Sequence, residues 1–433
     1  ARTHLLSRLS RFPSNRRFAS SNPSQSSYQV VVVGGGTGGL AVSSTLSEVL
    51  GRNAVAVIEP ASVHYYQPLW TLVGGGVKPF SASSKPVSEV MPPNVSWIKN
   101  KAIEVKPESN FVVLQDGQQI KYDYLVVAAG IQLNWNKVKG LPEALGNNGV
   151  SSNYAEDSVE KTWKFLQEFK GGNAVFTMPS TPIKCPGAAI KIAYLAEDHF
   201  RNAGVRQSTR VIYNTGMGKI FSVEKYANSL MRVAKDRGIE VNLSSELVEI
   251  RADKKEAVFK SNKTGEESVL PYDFLHAVPP MGPPDFIAKS NIGNAAGWVD
   301  VDQYTLQHNK YPNIYSLGDS SSVPTSKTAA AIAVQSGVLK HNLLSAMRGN
   351  LTPLTAAKYD GYCSCPLFVG RDQLILAEFN GFNATPMETF PFDQGKERGS
   401  MYFLTKEIIP EIYWRGLLKG TWVGPGRFRS YFN

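Results

Sequence analysis

Three glycines near the start of the chain have the spacing of a dinucleotide-binding turn. Gly34, Gly36 and Gly39 follow a β-branched apolar run at residues 30–33, in the order G-x-G-x-x-G. The first glycine permits a tight turn, the second lets a diphosphate approach the backbone, and the third lets the next helix pack closely on the strand. A second apolar run ends at Glu59, roughly the twenty-odd residues downstream at which an acid meets a ribose hydroxyl. This order of elements predicts a bound dinucleotide, and an incidental glycine-rich turn is the alternative.

A later stretch has residues that suit the flavin end of such a cofactor. The strand before Gly318 ends at Asp319, whose carboxylate can accept hydrogen bonds from the ribityl hydroxyls of a flavin. An alanine-rich helix begins near Lys327 and Thr328, and its N-terminus can face the flavin pyrimidine, where reduction builds negative charge. The alternative is an ordinary turn in which Asp319 caps a helix. Together with the first turn, this stretch favours FAD as the cofactor.

The chain has three cysteines, Cys185, Cys363 and Cys365. They are too few for a disulfide scaffold and lack the C-x-x-C spacing of a zinc site. A lone cysteine is commonly a small buried hydrophobe, so the residue types alone leave both a structural and a reactive role open. Lys184, next to Cys185, could lower the pKa of that thiol. The histidines have no metal-ligand spacing and are interpreted as structural or surface residues: His64, His199, His276 and His308.

The elements that must position these residues alternate in an α/β order. We expect two Rossmann-like dinucleotide-binding domains and a C-terminal membrane-interface segment. The FAD-binding domain comprises residues 28–149 and 291–348, the second domain residues 150–290, and the C-terminal domain residues 349–433. In the second domain the first glycine after the strand NAVFTM is Gly187, and the strand VIYNT ends without an acid. Because the nicotinamide fingerprint is missing, we do not expect NADH to be the electron donor.

Half of the formal charge of +10 lies at the N-terminus. Residues 1–27 contain five arginines and no acidic residue, and they are rich in serine. This composition is typical of an organelle transit peptide, and a disordered basic tail is the alternative. We find no nucleic-acid-binding motif, and no run of 18 apolar residues that would predict a membrane-spanning helix.

Residues 400–433 combine many aromatic side chains with basic ones. Short helices of this composition are typical of a segment that lies in a membrane interface. The alternative is a pair of terminal helices packed on the core or on a dimer partner. We favour a monotopic membrane enzyme whose partner is a lipid-soluble molecule. The residues concerned are Tyr402, Phe403, Lys406, Tyr413, Trp414, Arg415, Lys419, Trp422, Arg427, Phe428, Arg429, Tyr431 and Phe432.

From about Tyr28 to Trp422 the chain resembles the sulfide:quinone oxidoreductases of the mitochondrial, eukaryotic type. The turns that carry Cys185 and Cys365 are the discriminating part of this resemblance. The matching stretches are VVVGGGTGGL, HYYQPLWTLVGGG, KTWKFLQEFK, TPIKCPGA, WVDVD, LGDSSSVPTSKTAAA, KYDGYCSCPL and ETFPFDQGKERGSMY.

The resemblance implies where FAD binds. It places flavin contacts at Thr37, Gly38, Glu59, Gln67 and Asp319, with a backbone contact near Ala102. Gly130, which closes the strand LVVAAG, and Lys327 complete the expected cofactor contacts.

The resemblance also implies the chemistry. Cys185 and Cys365, the latter in a Ser-Cys-Pro turn, form the redox pair at one face of the flavin. Hydrogen sulfide attacks their disulfide or sulfur-bridged form, a persulfide results, and FAD passes two electrons to ubiquinone. Glutathione, sulfite or another small acceptor removes the sulfane sulfur at the mitochondrial inner membrane. Cys363 departs from the family pattern, and its thiol could compete with that of Cys365 for persulfide or disulfide formation.

Two alternatives remain on the same fold. The first is an NADH:quinone oxidoreductase, which the missing second fingerprint and the paired cysteines oppose. The second is a flavin-binding redox sensor without turnover.

Overall fold

The computed structural model describes residues 26–429. Its first sheet has seven strands, and five of them, including the strand before the glycine turn, run parallel. In spatial order six strands are Val95–Ile98, Val55–Ile58, Ser27–Val33, Gln119–Val127, Phe111–Leu114 and Ala102–Lys106, and Ile314–Ser316 also pairs with Gln119–Val127. Residues 1–25, most of the predicted transit peptide, and Tyr431 and Phe432 lie outside the described residues.

Burial on both faces explains the valine-rich sequence of the central strands. The run at residues 30–33 is almost fully buried, as parallel strands between helical layers are. The helices Thr37–Leu50 and Ala329–Met347 pack together on this sheet. Hairpin turns near residues 107–110 and 116–117 join the antiparallel strands Ala102–Lys106, Phe111–Leu114 and Gln119–Val127.

A second parallel sheet forms the second Rossmann-like unit. Its five strands are, in spatial order, Val150–Ser151, Phe274–His276, Gly172–Met178, Thr209–Thr215 and Ile239–Leu243. Its helices are Val159–Glu168, Gly187–Asn202 and Glu224–Asp236. An antiparallel sheet of Ser245–Arg251, Glu256–Ser261 and Glu267–Pro271 packs beside it. The expected fold class, an α/β protein with two Rossmann-like units, is confirmed.

A short ribbon of Gln132–Leu133 and Met281–Gly282 joins the two units. Beyond the first of these strands, Leu141 packs in a cluster with Ile250 of the second unit. Beyond the other strand, Ile287 packs in the core of the first sheet. This packing indicates that the chain passes between the two units at the ribbon, before residues 149 and 290, where our domain division places the boundaries. That division stays a prediction.

The C-terminal part begins with the strand Cys363–Phe368, here called the cysteine strand. It pairs antiparallel with Leu374–Asn380, which pairs in turn with Thr385–Pro386. The prediction that Cys365 lies in a turn is therefore wrong: Pro366 does not end the strand, and ladder pairing continues to Phe368. Alternate residues of the cysteine strand point to opposite faces, so Cys363 and Cys365 share one face.

Residues 399–425, here called the C-terminal segment, begin with consecutive helical turns. The turns are Gly399–Phe403, Leu404–Ile408, Ile409–Ile412 and Tyr413–Leu417, and the second and fourth are π-helical. The inner face packs in the main core through Met401, Tyr413 and Leu417, as the core-packed alternative expects. Within residues 26–429 no helix has the length and hydropathy needed to cross a membrane.

The remaining α-helices and strands are short. They are Val63–Tyr65, Trp70–Gly74, Ser84–Pro86, Val87–Val90, Leu141–Ala144, Asp285–Lys289 and Gly426–Arg429.

Candidate active site

One cavity of about 1020 Å³ lies between the first sheet, the second unit and the C-terminal segment. Most residues that we predict for the site line it. They are Gly34, Gly36, Thr37, Gly38, Glu59, Gln67, Gly130, Cys185, Asp319 and Lys327. Among the described residues, Gly39, Ala102 and Cys365 lie outside its wall. Ala102 begins an edge strand and pairs with Leu114, so the backbone contact predicted there has no counterpart in this cavity.

The glycine turn fits a diphosphate at its second glycine. A Cβ atom at Gly34, where φ is +102°, would lie 2.4 Å from the Ala128 carbonyl oxygen, and one at Gly39 would lie 1.8 Å from the Gly34 oxygen. A Cβ atom at Gly36 would meet nothing within 4 Å. Gly36 precedes the helix Thr37–Leu50 without a capping side chain. The first amides of that helix are therefore free to bind an anion.

Glu59 closes the turn from the neighbouring strand. Its Oε2 accepts a hydrogen bond of 2.8 Å from the Gly35 amide, and its Oε1 accepts one of 2.7 Å from the Ala61 amide. These bonds hold the carboxylate at the carboxyl end of Val55–Ile58, where the ribose of a dinucleotide lies in Rossmann-like sites. The arrangement fits the adenosine half of a dinucleotide cofactor.

The far end of the cavity holds a partly buried acid, Asp319, near two lysines. Burial raises the pKa of Asp319, and the charges of Lys327 and Lys184 oppose that shift. Lys327 Nζ donates hydrogen bonds to the main-chain oxygens of Asp319 at 2.7 Å and Ser321 at 3.2 Å. Burial lowers the pKa of Lys327 to about 8. The helix Ala329–Met347 begins here, and its first residue also lines the cavity, so its N-terminus suits the electron-rich end of a reduced flavin.

Lys184 does not bind the cysteine beside it in the sequence. Its Nζ donates a hydrogen bond of 2.6 Å to Gln67 Oε1. Burial lowers the pKa of Lys184 to about 8, with Asp319 opposing the shift. The expectation that Lys184 activates Cys185 therefore lacks a direct contact, and the lysine instead connects the predicted flavin contact Gln67 to the second unit.

Cys185 and Cys365 meet although 180 positions separate them, with their Sγ atoms 3.8 Å apart. The Cys185 amide donates to the Lys327 oxygen at 2.8 Å, which ties the cysteine turn to the flavin end of the cavity. Cys185 has φ of +46°, a left-handed conformation that is uncommon outside glycine. A Cβ atom at Gly187 would lie 2.3 Å from Cys365 Sγ, so the close approach of the two thiols requires glycine there.

A buried lysine that the sequence analysis missed contacts the thiol pair. Lys191 Nζ lies 3.6 Å from Cys185 Sγ. The hydrogen bond from Cys365 and the charge of Lys191 lower the pKa of Cys185 to about 6, although burial opposes this. The contact with Cys185 and burial raise the pKa of Cys365. A single lysine inside the apolar run AAIKIAYLA is the signal that could have revealed Lys191.

Cys363 faces a different environment. Its Sγ donates to the Ser326 oxygen at 3.4 Å and lies 3.9 Å from the Tyr359 hydroxyl. Burial raises the pKa of Cys363 to about 11. Among the described residues, Cys365 rather than Cys363 contacts Cys185, so the geometry gives no support to competition by Cys363.

A hydrogen-bond chain connects the glycine turn to the C-terminal segment. Neutral His64 donates from Nδ1 to the Gly35 oxygen at 3.2 Å, and its Nε2 accepts from the Tyr413 hydroxyl at 2.6 Å. The Tyr413 oxygen accepts from Thr37 Oγ1 at 2.9 Å. Burial lowers the pKa of His64 to about 4. His64, which we interpreted as structural or surface, is a buried residue of the cavity wall.

The part of the cavity under the C-terminal segment is mostly apolar. One wall is formed by the residues of the cysteine strand that alternate with the cysteines, namely Ser364, Pro366 and Phe368. Another wall is formed by Ile408 and Ile412. Within residues 26–429 no group of three or more His, Cys, Asp or Glu side chains is arranged to hold a metal ion. The site therefore combines a dinucleotide cradle, a thiol pair with a neighbouring cation, and an apolar chamber.

Comparison with known proteins identifies the relatives of this chain. Residues 28–166 match the family model described as pyridine nucleotide-disulphide oxidoreductase. The mitochondrial sulfide:quinone oxidoreductase of Mus musculus is 47% identical over 407 residues, which cover 94% of this chain and 90% of that protein. The Dictyostelium discoideum enzyme of the same name is 47% identical, with 92% and 87% of the two chains covered.

The solved structures agree on the fold. The crystal structure of the sulfide:quinone oxidoreductase from Aquifex aeolicus superposes with a TM-score of 0.75 at 19% identity, and covers 91% of this chain and 92% of that one. At this identity the likeness concerns the fold alone. The curated relatives, matched over nearly the whole length of the chain, carry the assignment. This chain belongs to the sulfide:quinone oxidoreductase family.

Proposed function

We propose that this protein oxidises hydrogen sulfide in mitochondria and passes the two electrons through FAD to ubiquinone. The observation that carries the proposal is the pair of thiols 3.8 Å apart, one of which lines the cavity that also holds the dinucleotide turn. The name and the mitochondrial assignment of the relatives at 47% identity support it.

FAD fits the residues that line the cavity. Gly36 and the helix after it would hold the diphosphate, and Glu59 the adenosine ribose. Asp319 would bind the ribityl chain, with Lys327 beside it. A bound flavin supplies a two-electron acceptor next to Cys185 and can return those electrons to a quinone.

The proposed sulfide step is a thiol–disulfide exchange on Cys365. Starting from the disulfide of Cys185 and Cys365, HS⁻ attacks Cys365 Sγ. The attacked bond to Cys185 breaks, which leaves a persulfide on Cys365 and a thiolate on Cys185. This direction is favoured because the thiol of lower pKa is the better leaving group. The pKa of Cys185 is about 6, whereas that of Cys365 is raised, and Lys191 stabilises the thiolate by its charge.

The cycle closes when the sulfane sulfur leaves. A small nucleophile such as glutathione or sulfite attacks the outer sulfur of the Cys365 persulfide and takes it away, so that Cys365 becomes a thiolate. The bond between Cys185 and Cys365 would then re-form, and a bound flavin would supply the acceptor for the two electrons that the two thiolates lose. Each turnover therefore removes two electrons from one sulfide.

The C-terminal segment is the proposed contact with the mitochondrial inner membrane. Phe403, Ile408 and Val423 are 59%, 41% and 43% exposed. Apolar side chains of this kind, interleaved with basic ones, suit the headgroup region of a bilayer. Because the same segment covers the apolar chamber, a quinone can enter that chamber from the membrane.

NADH is a poorer donor for this protein. In the second unit the carboxylate of Glu246 accepts a hydrogen bond of 2.9 Å from the Ser180 amide, just beyond Gly172–Met178. A nicotinamide dinucleotide would place its diphosphate at the turn after this strand. The Glu246 carboxylate occupies an amide of that turn and repels a diphosphate by its charge.

The decisive experiment is an anaerobic titration of the holoenzyme with sulfide. We expect sulfide to bleach the flavin absorbance and NADH to leave it unchanged. Cys185→Ser and Cys365→Ser should each prevent bleaching by sulfide, whereas Cys363→Ser, the matched control, should bleach normally. Bleaching by NADH alone, or an active Cys365→Ser together with an inactive Cys363→Ser, would contradict the assignment.

A further inference from the structure

A buried carboxylate faces the apolar chamber without a role in the sulfide chemistry. Glu378 is 3% exposed and lines the cavity. It lies on Leu374–Asn380 directly opposite Ser364, next to Cys365 on the cysteine strand. A buried carboxylate is costly unless donors surround it. Its position in the chamber wall therefore calls for an explanation.

Hydrogen-bond donors surround this carboxylate. Its Oε1 accepts from the Tyr362 hydroxyl and from Thr389 Oγ1 at 2.9 Å, while Oε2 accepts from the Thr389 amide at 3.1 Å and Gln394 Nε2 at 2.8 Å. Three of these four donors come from the loop at residues 389–394. Tyr362, the remaining donor, directly precedes the cysteine strand and lines the cavity. Tyr362 and Glu378 therefore both line the chamber and are hydrogen-bonded to each other.

The proposed reaction needs a proton at this end of the cavity. Reduction of a quinone to a quinol consumes two electrons and two protons. Reduced flavin in its anionic form carries the two electrons and one proton, so the second proton must come from elsewhere. Among the carboxylates of the chamber wall, Glu378 is the one whose strand position lies beside the partner of Cys365. The Tyr362 hydroxyl, bound to Glu378, can pass a proton on.

We propose that Tyr362 and Glu378 deliver this second proton to the quinone, an inference that rests on the proposed function. A proton from solvent reaches the Glu378 carboxylate and passes to the Tyr362 oxygen, while the Tyr362 hydroxyl gives its own proton to a quinone oxygen. This transfer restores the carboxylate, which the donors of Thr389 and Gln394 stabilise. Tyr362 is the catalytic residue and Glu378 a positioning residue that acts through it.

The contacts around Tyr362 and Glu378 extend to a carboxylate that is partly exposed to solvent. The Arg429 guanidinium stacks 4.6 Å from the Tyr362 ring, and its Nε donates to Thr389 Oγ1 at 3.3 Å. Glu388, next to Thr389, accepts from the Gln394 amide at 2.7 Å and pairs with Lys225 at 2.6 Å. Glu388 is partly exposed. The loop that binds the buried carboxylate therefore also carries a carboxylate in contact with water.

The test compares acceptors that differ in their need for protons. Ferricyanide takes electrons one at a time without a proton, whereas decylubiquinone needs two. In the holoenzyme with sulfide, Glu378→Gln and Tyr362→Phe should slow decylubiquinone reduction on the order of a hundredfold, as loss of a general acid does. Ferricyanide reduction should keep the wild-type rate, and decylubiquinone reduction by the wild type should slow in D₂O.

The matched control is Tyr226→Phe, because the Tyr226 hydroxyl donates to the main-chain oxygen of Glu378 and not to its carboxylate. It should leave the ratio of the two rates unchanged. Equal loss with both acceptors, or an unchanged decylubiquinone rate in Tyr362→Phe, would overturn the proposal. If Glu378→Gln does not fold, Tyr362→Phe decides alone. Failure of sulfide to bleach the wild-type flavin would instead refute the proposed function.

Discussion

Cys185 and Cys365 approach to 3.8 Å between their Sγ atoms, with Lys191 Nζ on one of them and Gly187 beneath the other. The second unit supplies Cys185, Gly187 and Lys191, and the C-terminal part supplies Cys365. This contact makes the thiols unequal, because the cation lies 3.6 Å from Cys185 while Cys365 is buried behind it. The inequality gives the sulfur exchange a direction.

Lys191→Met should raise the pKa of Cys185 in the reduced protein. The wild-type pKa is about 6, and loss of the cation should move it toward the ordinary thiol value of about 8.5. The pH midpoint of Cys185 alkylation, followed by mass spectrometry, measures this shift. Lys184→Met is the control, because the Lys184 ammonium binds Gln67, and it should leave the midpoint unchanged. An unchanged midpoint in Lys191→Met would contradict the assigned role.

Gly187→Ala should separate the two thiols without unfolding the helix Gly187–Asn202. The added Cβ atom would lie 2.3 Å from Cys365 Sγ, and overpacking of this kind costs about 1–3 kcal/mol. We expect the flavin to remain bound while its reduction by sulfide is lost. Gly218→Ala, whose Cβ atom meets nothing within 4 Å, is the control. Normal bleaching in Gly187→Ala would show that the close contact is dispensable.

Gly36→Ala should lose FAD and leave the apoprotein intact. A Cβ atom at Gly36 meets nothing within 4 Å, and Gly36 lines the cavity where the diphosphate is expected. The flavin content of the purified protein should fall, while the thermal midpoint of the apoprotein stays near that of the wild type. Full flavin content in this variant would place the diphosphate elsewhere.

His64 should make the protein less stable in acid. Burial lowers its pKa to about 4 in the folded state, against about 6.5 in the unfolded chain. Below pH 6.5 the unfolded state therefore binds the proton first, and stability is lost as the pH falls from 6.5 to 4. The loss from this group is on the order of 3 kcal/mol.

The measurement is the free energy of unfolding of wild type and His64→Gln between pH 7 and pH 4. Glutamine does not titrate, so the stability of His64→Gln should fall less over this interval. Parallel curves for the two proteins would show that His64 is not held neutral.

Substitution of Phe403, Ile408 and Val423 by serine should weaken binding to vesicles. These side chains are exposed on the C-terminal segment, and each loses its apolar contribution at the interface. Sedimentation with vesicles of inner-membrane lipid composition measures the bound fraction. The control is Val269→Ser, an exposed valine on the second unit. Unchanged partitioning of the triple variant would argue against membrane contact through this segment.

Much of the fold follows from local pattern. The valines at residues 30–33, the glycine spacing and the helix after it depend on neighbours close in sequence, and the structure bears them out. The turn predicted at Cys365 is wrong because ladder pairing with Leu374–Asn380 overrides the local preference of Pro366. The backbone contact near Ala102 depends on which strand lies at the sheet edge, and a local pattern does not specify that.

The sequence by itself determined the dinucleotide turn, the α/β order, the family resemblance and which cysteines belong together by that resemblance. Tertiary structure alone decided that Lys191, rather than the adjacent Lys184, contacts Cys185. It also decided that Tyr413 hydrogen-bonds to Thr37, 376 positions away. The physical reason is that burial and charge contacts arise between elements brought together by packing, and residue spacing along the chain carries no record of those distances.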